Sequence, residues 1–288
     1  MICDLQQNTP EWLEWRRDKI GASEVAAILG VSPYDTAYTL WERKLGLIPE
    51  KEKTFAMQRG HDLEDKIRND FIKESGIDLE PKVLTSEEHP FLIASLDGIS
   101  LDGKTVIEIK CPNKEDHFLA KKGEVPSKYF PQLQHQCFVC GIENVIYLSH
   151  NGIETVSVVV NRWDEYIKVM IEKELEFYKC IKEFTPPNMT ERDYLKRNDL
   201  EWRELSERYL NVKTRLKQYE SEEKYLREAL VKASTGKASI GGGLKLSKIV
   251  RKGAIDYKII PELIGIDLEM FRSDPVVSYR ITETWGDS

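Results

Sequence analysis

SLDGISLDGKTVIEIKCP, residues Ser95 to Pro112, decides how this chain is read. Two Asp-Gly pairs, at Asp97 and Asp102, precede a strand-like run, TVIEIK, in which Glu108 and Lys110 stand two residues apart. Side chains alternate along a strand, so Glu108 and Lys110 face one way while Ile107 and Ile109 face the other. One cavity is thereby offered an acid and a lysine. If the preceding hairpin folds back, Asp97, at the end of FLIASLD, reaches the same face. Two carboxylates around an open position suit Mg²⁺, a hard cation that takes few protein oxygens and keeps water or phosphate oxygens on its other positions. The lysine can orient or deprotonate an attacking water, or neutralise charge on a phosphorane-like transition state. An ordinary exposed hairpin also carries such residues, because cross-strand Glu and Lys pairs are mildly favourable. The rest of the chain has to decide.

With 288 residues, 41% hydrophobic and 32% charged, the chain has the composition of a soluble globular protein and length for one main domain with an appendage. No apolar run approaches the roughly 20 residues that span a bilayer, and MICDLQQNTPEW lacks a basic start followed by an apolar stretch, so a cytoplasmic protein is expected. Cys3, Cys111, Cys137, Cys140 and Cys180 are an odd, scattered set and no disulfide framework. Cys137 and Cys140 form a CxxC without a second close pair, which reads as helix thiols and not as a zinc site. A net charge of -7 argues against nonspecific coating of nucleic acid but allows a local basic channel.

Residues 8 to 48 read as helical, with Thr9-Pro10-Glu11 as a start and Ser23 capping SEVAAILG, which Gly30 stops. A helix over about 54 to 75 follows, with Ala56, Leu63, Ile67 and Phe71 at helical spacing. Between about 79 and 110 the period becomes that of short strands bounded by Pro, Gly and Asp turns. HFLAKKG and YFPQLQHQCFVCG read as helix, VIYLSHNG and IETVSVVV as a hairpin, and about 163 to 183 as a closing helix. The fold class is α/β (α+β), a core with a mixed sheet flanked by helices, over residues 1–185.

Pro186-Pro187 marks a boundary, and residues 186–288 form an appendage. Leu195, Trp202, Leu205, Tyr209, Val212, Leu216, Tyr219, Leu226 and Leu230 keep a 3,4 spacing, the seam of one long coiled-coil-like helix. Its partner is a second copy, the chain's own core or another protein. STGKASIGGG reads as flexible, and LKLSKIVRKGAIDYKII as a basic strand pair in which Lys245, Lys248, Arg251, Lys252 and Lys258 either touch phosphate or guard a strand edge. No internal repeat is present.

The pattern D-x(10)-E-x-K resembles the signature of the restriction-endonuclease-like nucleases. Its form here, with SLDG before it and Cys111-Pro112 after it, is similar to the lambda exonuclease and YqaJ-type phage recombinase family. RGHDLEDKIRNDF resembles that family's G-x-x-x-E helix, WLEWRRDKIGASEVAAILG its N-terminal element, and YFPQLQHQCFVCG the helix with its active-site Gln. The resemblance covers about residues 8 to 180. It implies one or two Mg²⁺ ions, with Mn²⁺ as a substitute, held by Asp97, Glu108 and the carbonyl of Ile109, with Glu64 binding through water or holding a second ion. It also implies that Lys110 positions the nucleophilic water and that Gln132, with Gln134 close behind, holds that water or the scissile phosphate. Arg16 and Ser23, with Arg17 as a rival and Ser95 nearby, would grip a DNA 5′-phosphate. The partners implied are double-stranded DNA ends, a single-strand annealing protein and a homo-oligomer of the trimeric ring type, in a phage- or prophage-encoded protein.

Departures from the family pattern are specific. His61 stands one helical turn before Glu64; related nucleases of the RecB type use a histidine in this region, which makes His61 a candidate ligand. PNKEDHF offers only Lys114 where lambda exonuclease has a further Arg. Relatives with an iron-sulfur cluster hold it on cysteines, a set that Cys137 and Cys140 do not complete. Residues from about 187 onward are extra relative to lambda exonuclease. The expected activity is a 5′ to 3′ exonuclease on linear duplex DNA that leaves 3′ single-stranded tails. The alternatives are an endonuclease or single-strand nuclease on the same site, and a binding or recruitment module built on the long helix.

Overall fold

The computed structural model describes residues 9–51 and 55–247. Helix α1 (Pro10–Arg17) opens where Thr9 accepts the N–H of Trp12 at 3.2 Å and Pro10 occupies the first turn, which needs no donor there. A two-residue strand β1 (Ile20–Gly21), a single 3-10 turn (Ala22–Glu24) and the short helices α2 (Val25–Ile28) and α3 (Ala37–Lys44) follow. The all-helical reading of residues 8 to 48 is corrected at β1, which two residues cannot announce by period. Ser23 lies inside the 3-10 turn and is no helix cap; the Glu24 carboxylate accepts the Gly21 N–H instead, at 2.9 Å.

Helix α4 (Phe55–Ser75) leads into β2 (Leu79–Thr85), β3 (Leu92–Ser100) and β4 (Val106–Lys110). Then come α5 (Lys114–Lys121), α6 (Phe130–Cys140), β5 (Asn144–His150), β6 (Thr155–Asn161) and α7 (Asp164–Lys182). Asn113 caps α5 through the Asp116 N–H at 2.8 Å, and Gly141, at a left-handed φ of 66°, ends α6. The strands run in the order β1-β3-β4-β5-β6, with β2 paired to β3. Parallel pairing joins β1 to β3 and β4 to β5, and the remaining pairs are antiparallel. This is a mixed sheet flanked by helices.

Burial follows the alternation of β4. Ile107 and Ile109 pack with Ile67 of α4, Leu79 and Leu148 in the smaller core, whereas Val106 joins the larger core with Leu133, Cys137, Tyr147 and Met170. Each of these large apolar side chains stabilises the fold by about 1.5–3 kcal/mol when buried. Glu108 and Lys110, on the Val106 face, therefore turn toward α6.

Strands β3 and β4 pair only at Gly98↔Ile107 and Ile99↔Val106. Asp97 is thus not at the end of its strand, which runs on to Ser100; the turn comes at Asp102-Gly103, where Gly103 takes a φ of 72°. Gly98 is needed for close approach, since a Cβ there would stand 2.8 Å from Ile107 Cγ1 and 3.2 Å from Leu79 Cβ. Gly98→Ala is expected to cost about 1–3 kcal/mol through overpacking, read as a lower urea midpoint with an unchanged slope.

Internal contacts divide the chain after Tyr194, a few residues beyond Pro186-Pro187. The intervening segment bonds back to the first unit: Arg192 Nη1 donates to Ser32 O at 2.8 Å and Asp193 accepts from Thr36. The second unit contains α8 (Leu200–Ala233), with Asp199 accepting the Trp202 N–H at 3.0 Å, and a hairpin of β7 (Ser239–Gly241) and β8 (Leu244–Leu246). Part of the stretch expected to be flexible supplies β7 and the Gly242-Gly243 turn. No residue of the 34 in α8 is buried. Of the basic residues proposed for this end, Lys245 lies on β8, while Lys248, Arg251, Lys252 and Lys258 fall outside the described residues. Among the described residues no helix is long and apolar enough to cross a membrane.

Candidate active site

Where β3 and β4 part, the Ile109 N–H has lost its neighbouring strand. Asp97 supplies the missing acceptor, its Oδ2 taking that N–H at 2.7 Å. Arg68 of α4 donates to the Asp97 carbonyl at 2.7 Å and steadies the same point from the other side. Asp97 and β4 are thereby locked together by the fork itself.

Glu108 is only 2% exposed, and its two oxygens are in different company. Oε1 receives Gln132 Nε2 at 2.6 Å and Lys110 Nζ at 2.6 Å; Oε2 receives Gln136 Nε2 at 2.5 Å. Burial raises the Asp97 carboxyl well above its usual range and the nearby Glu108 charge adds to this, against the pull of Lys110 and the Ile109 N–H. Burial lowers Lys110, but Glu108 and Asp97 outweigh it and hold the ammonium above the ordinary lysine range. Lys110 in this arrangement is a positive charge and not a proton acceptor.

A cleft of about 960 Å³ is lined by His61, Glu64, Ile109, Lys110 and Gln132, and also by Arg16, Arg17 and Ser23. Asp97 and Glu108 stand behind that lining, joined to it through Ile109, Lys110 and Gln132. His61 and Glu64 meet as neighbouring turns of α4 should, with Nδ1 and Oε2 3.1 Å apart. Ser95 pairs with Val83 in mid-strand and does not line the cleft. Gln134 is turned away: it donates to Asn161 O at 2.9 Å and accepts the Trp163 N–H at 2.8 Å. Cys137 and Cys140 do not line the cleft, and burial pushes both thiols up to about 12.

Among the described residues, no three His, Cys, Asp or Glu side chains converge into a complete metal cage. The donor set nevertheless fits a hard divalent cation. Asp97, Glu108 and the Ile109 carbonyl are oxygen donors at the fork, the hard ligands such an ion takes.

Arg16 is held before any ligand arrives. Its Nη2 bonds Glu24 Oε1 at 2.9 Å, its guanidinium lies 5.1 Å from the Trp12 ring centre, and Lys44 bonds Glu24 Oε2 at 2.7 Å. Arg17 forms an exposed pair with Glu14 at 3.3 Å. Glu24, Lys44 and Gln136 were missed in the sequence. Gln136 had a signal, being one turn from Gln132; Glu24 and Lys44 are brought together only by the fold. Burial by itself raises the Glu24 carboxyl, but Lys44 and Arg16 outweigh it and hold it down to about 2, from an ordinary 4.5. Because the folded value is the lower one, the stabilisation is complete above about pH 4.5 and is lost as pH falls toward 2, and linkage puts it on the order of 3 kcal/mol. Glu24→Gln is expected to lose most of that at neutral pH and to flatten the acid side of the stability curve, read by urea unfolding between about pH 7 and pH 3.

Residues 11–143 match the family model of the YqaJ-like viral recombinase domain. That stretch of the chain is similar to this domain. Over 179 residues the chain is 30% identical to the uncharacterized protein YqaJ of Bacillus subtilis (strain 168), an alignment that takes in 60% of this chain and 56% of that protein. The match therefore spans little more than half of that relative's length. Among solved structures, the alkaline exonuclease LHK-Exo of Laribacter hongkongensis is 26% identical, covers 62% of this chain and 94% of its own, and superposes with a TM-score of 0.52. LHK-Exo in complex with dAMP has the same identity and coverage and a TM-score of 0.54. Residues 11–143 thus resemble a viral recombinase domain, and the fold resembles that of a solved alkaline exonuclease. Both the fork at Asp97 and the Gln132 helix lie inside the matched residues.

Proposed function

We propose that this protein is an Mg²⁺-dependent deoxyribonuclease that digests one strand of linear duplex DNA from a 5′-phosphorylated end, in the 5′ to 3′ direction. The observation that carries the reading is a single cleft lined both by the Lys110, Gln132 and Glu64 group and by Arg16 and Ser23. Chemistry and an end-recognition pocket then share one substrate path. Asp97, Glu108, the Ile109 carbonyl and Glu64 would hold the cation, with His61 as a neighbouring nitrogen, and Mn²⁺ would be accepted in its place. When bound, such an ion supplies an activated water and charge neutralisation at the phosphate. Lys110 adds a fixed positive charge beside the phosphate oxygens, and Gln132 an amide that orients water or phosphate. Arg16, pre-oriented by Glu24, and the Ser23 hydroxyl would hold the terminal phosphate by charge-assisted hydrogen bonds. Similarity to LHK-Exo supports exonuclease over endonuclease action.

The test is digestion of matched duplexes with Mg²⁺: linear with 5′-phosphate, linear with 5′-hydroxyl, and covalently closed. The expected result is rapid loss of the phosphorylated linear form and little of the others. Cleavage of the closed circle would replace the exonuclease reading with an endonuclease on the same metal site. No cleavage of any form with Mg²⁺ or Mn²⁺ would end the reading.

A further inference from the structure

Glu108 has three donors, and they divide by position. Lys110 and Gln132, both on Oε1, line the cleft and meet whatever enters it. Gln136, on Oε2 at 2.5 Å, is fully buried and does not line the cleft. It is thus the one donor that an incoming ion or phosphate leaves in place. Its own Oε1 is buried without a hydrogen-bond partner, so the amide is committed to Glu108 through its N–H side alone. Turning the amide over would face two acceptor oxygens at hydrogen-bond distance, which fixes its orientation while Glu108 is ionised.

We propose that Gln136 is a positioning residue that anchors Glu108 Oε2 and so presents Oε1 to a divalent cation. The inference rests on the metal-dependent reading of the site and assigns a residue to it. A buried carboxylate with one oxygen pinned loses little rotational freedom when the other takes up a ligand, and partners that orient metal-binding groups are worth about 10–100-fold in metal affinity. Of the buried polar side chains on this helix, Gln132, Gln134, His135 and Gln136, only Gln132 and Gln136 donate to Glu108, while Gln134 and His135 are bonded elsewhere.

The experiment uses the full chain and Mn²⁺ as the probe, with binding followed by electron paramagnetic resonance of the free ion and fold stability by thermal unfolding. Wild type is compared with Gln136→Met, which keeps the length and removes the donor, and with Gln134→Met, which breaks the Asn161 and Trp163 bonds on the same helix. Gln136→Met is expected to bind Mn²⁺ about 10–100-fold more weakly. Gln134→Met is expected to lose thermal stability with unchanged Mn²⁺ affinity. Should Gln136→Met not fold, Gln136→Asn retains the amide but withdraws it by about 1.5 Å, one carbon–carbon bond, and is expected to show the same weakening. Equal Mn²⁺ affinity in wild type and the folded Gln136 variant would overturn the positioning role while the metal site stood. Absence of Mn²⁺ binding by wild type would overturn the metal reading and this inference with it.

Discussion

Glu108→Gln is expected to slow Mg²⁺-dependent digestion of linear duplex DNA by about 10³-fold or more under single-turnover conditions, the scale of losing a buried electrostatic contributor. The change is nearly isosteric, so the loss reads charge and not shape. In the wild-type protein, donors from Gln132, Gln136 and Lys110 all converge on the Glu108 carboxylate. Replacing it with an amide places N–H groups against N–H groups and leaves Lys110 without its closest counter-charge. Lys110→Met is expected to fall by about 10²–10³-fold in the same assay while Mn²⁺ affinity is retained, because the ammonium acts on the reacting phosphate and not as an ion ligand. Cleavage by Glu108→Gln within about tenfold of wild type would remove this site from the reaction.

The largest expected effect on stability lies elsewhere, in the larger core. His135 on α6 and Glu174 on α7 are both fully buried; His135 Nδ1 meets Glu174 Oε1 at 2.8 Å and Nε2 meets the Ile93 carbonyl at 3.1 Å. Among the described residues Glu174 Oε2 has no hydrogen-bond partner, and the histidine is the group bonded to that carboxyl. His135→Leu leaves an acid in an apolar interior and is expected to cost about 3–5 kcal/mol in urea unfolding. That is a large share of the about 5–15 kcal/mol that holds a typical domain together. The double variant His135→Leu with Glu174→Leu is expected to recover much of the loss, because removing both partners also removes the burial cost of the charge. A single variant within about 1 kcal/mol of wild type would mean the pair is relaxed by water that reaches the core.

Much of the architecture was legible from period and punctuation. The 3.6-residue spacing of Leu63, Ile67 and Phe71 announced α4, the alternation of TVIEIK announced β4 and placed Glu108 with Lys110 on one face, and the seam from Trp202 to Leu230 announced α8. These signals are local, because side-chain direction follows from the backbone period alone. The association of Glu64, Asp97, Glu108, Lys110 and Gln132 was legible for another reason: their spacing and flanking residues resemble those of a known family.

What only the tertiary structure decided is how those groups are held. Nothing local says that β3 and β4 separate after Gly98↔Ile107, so that Asp97 becomes the acceptor for Ile109 N–H; that depends on Leu79 and Ile107 closing over a glycine from two other strands. Likewise Glu24 gathers Arg16 and Lys44 across 8 and 20 residues of chain, and Gln136, not Gln134, turns to Glu108 because α6 presents that side to the sheet. Sequence period assigns a residue to a face. Which buried charge that face meets is settled by the packing of elements distant in the chain, where an unpaired polar group is too costly to leave unmatched.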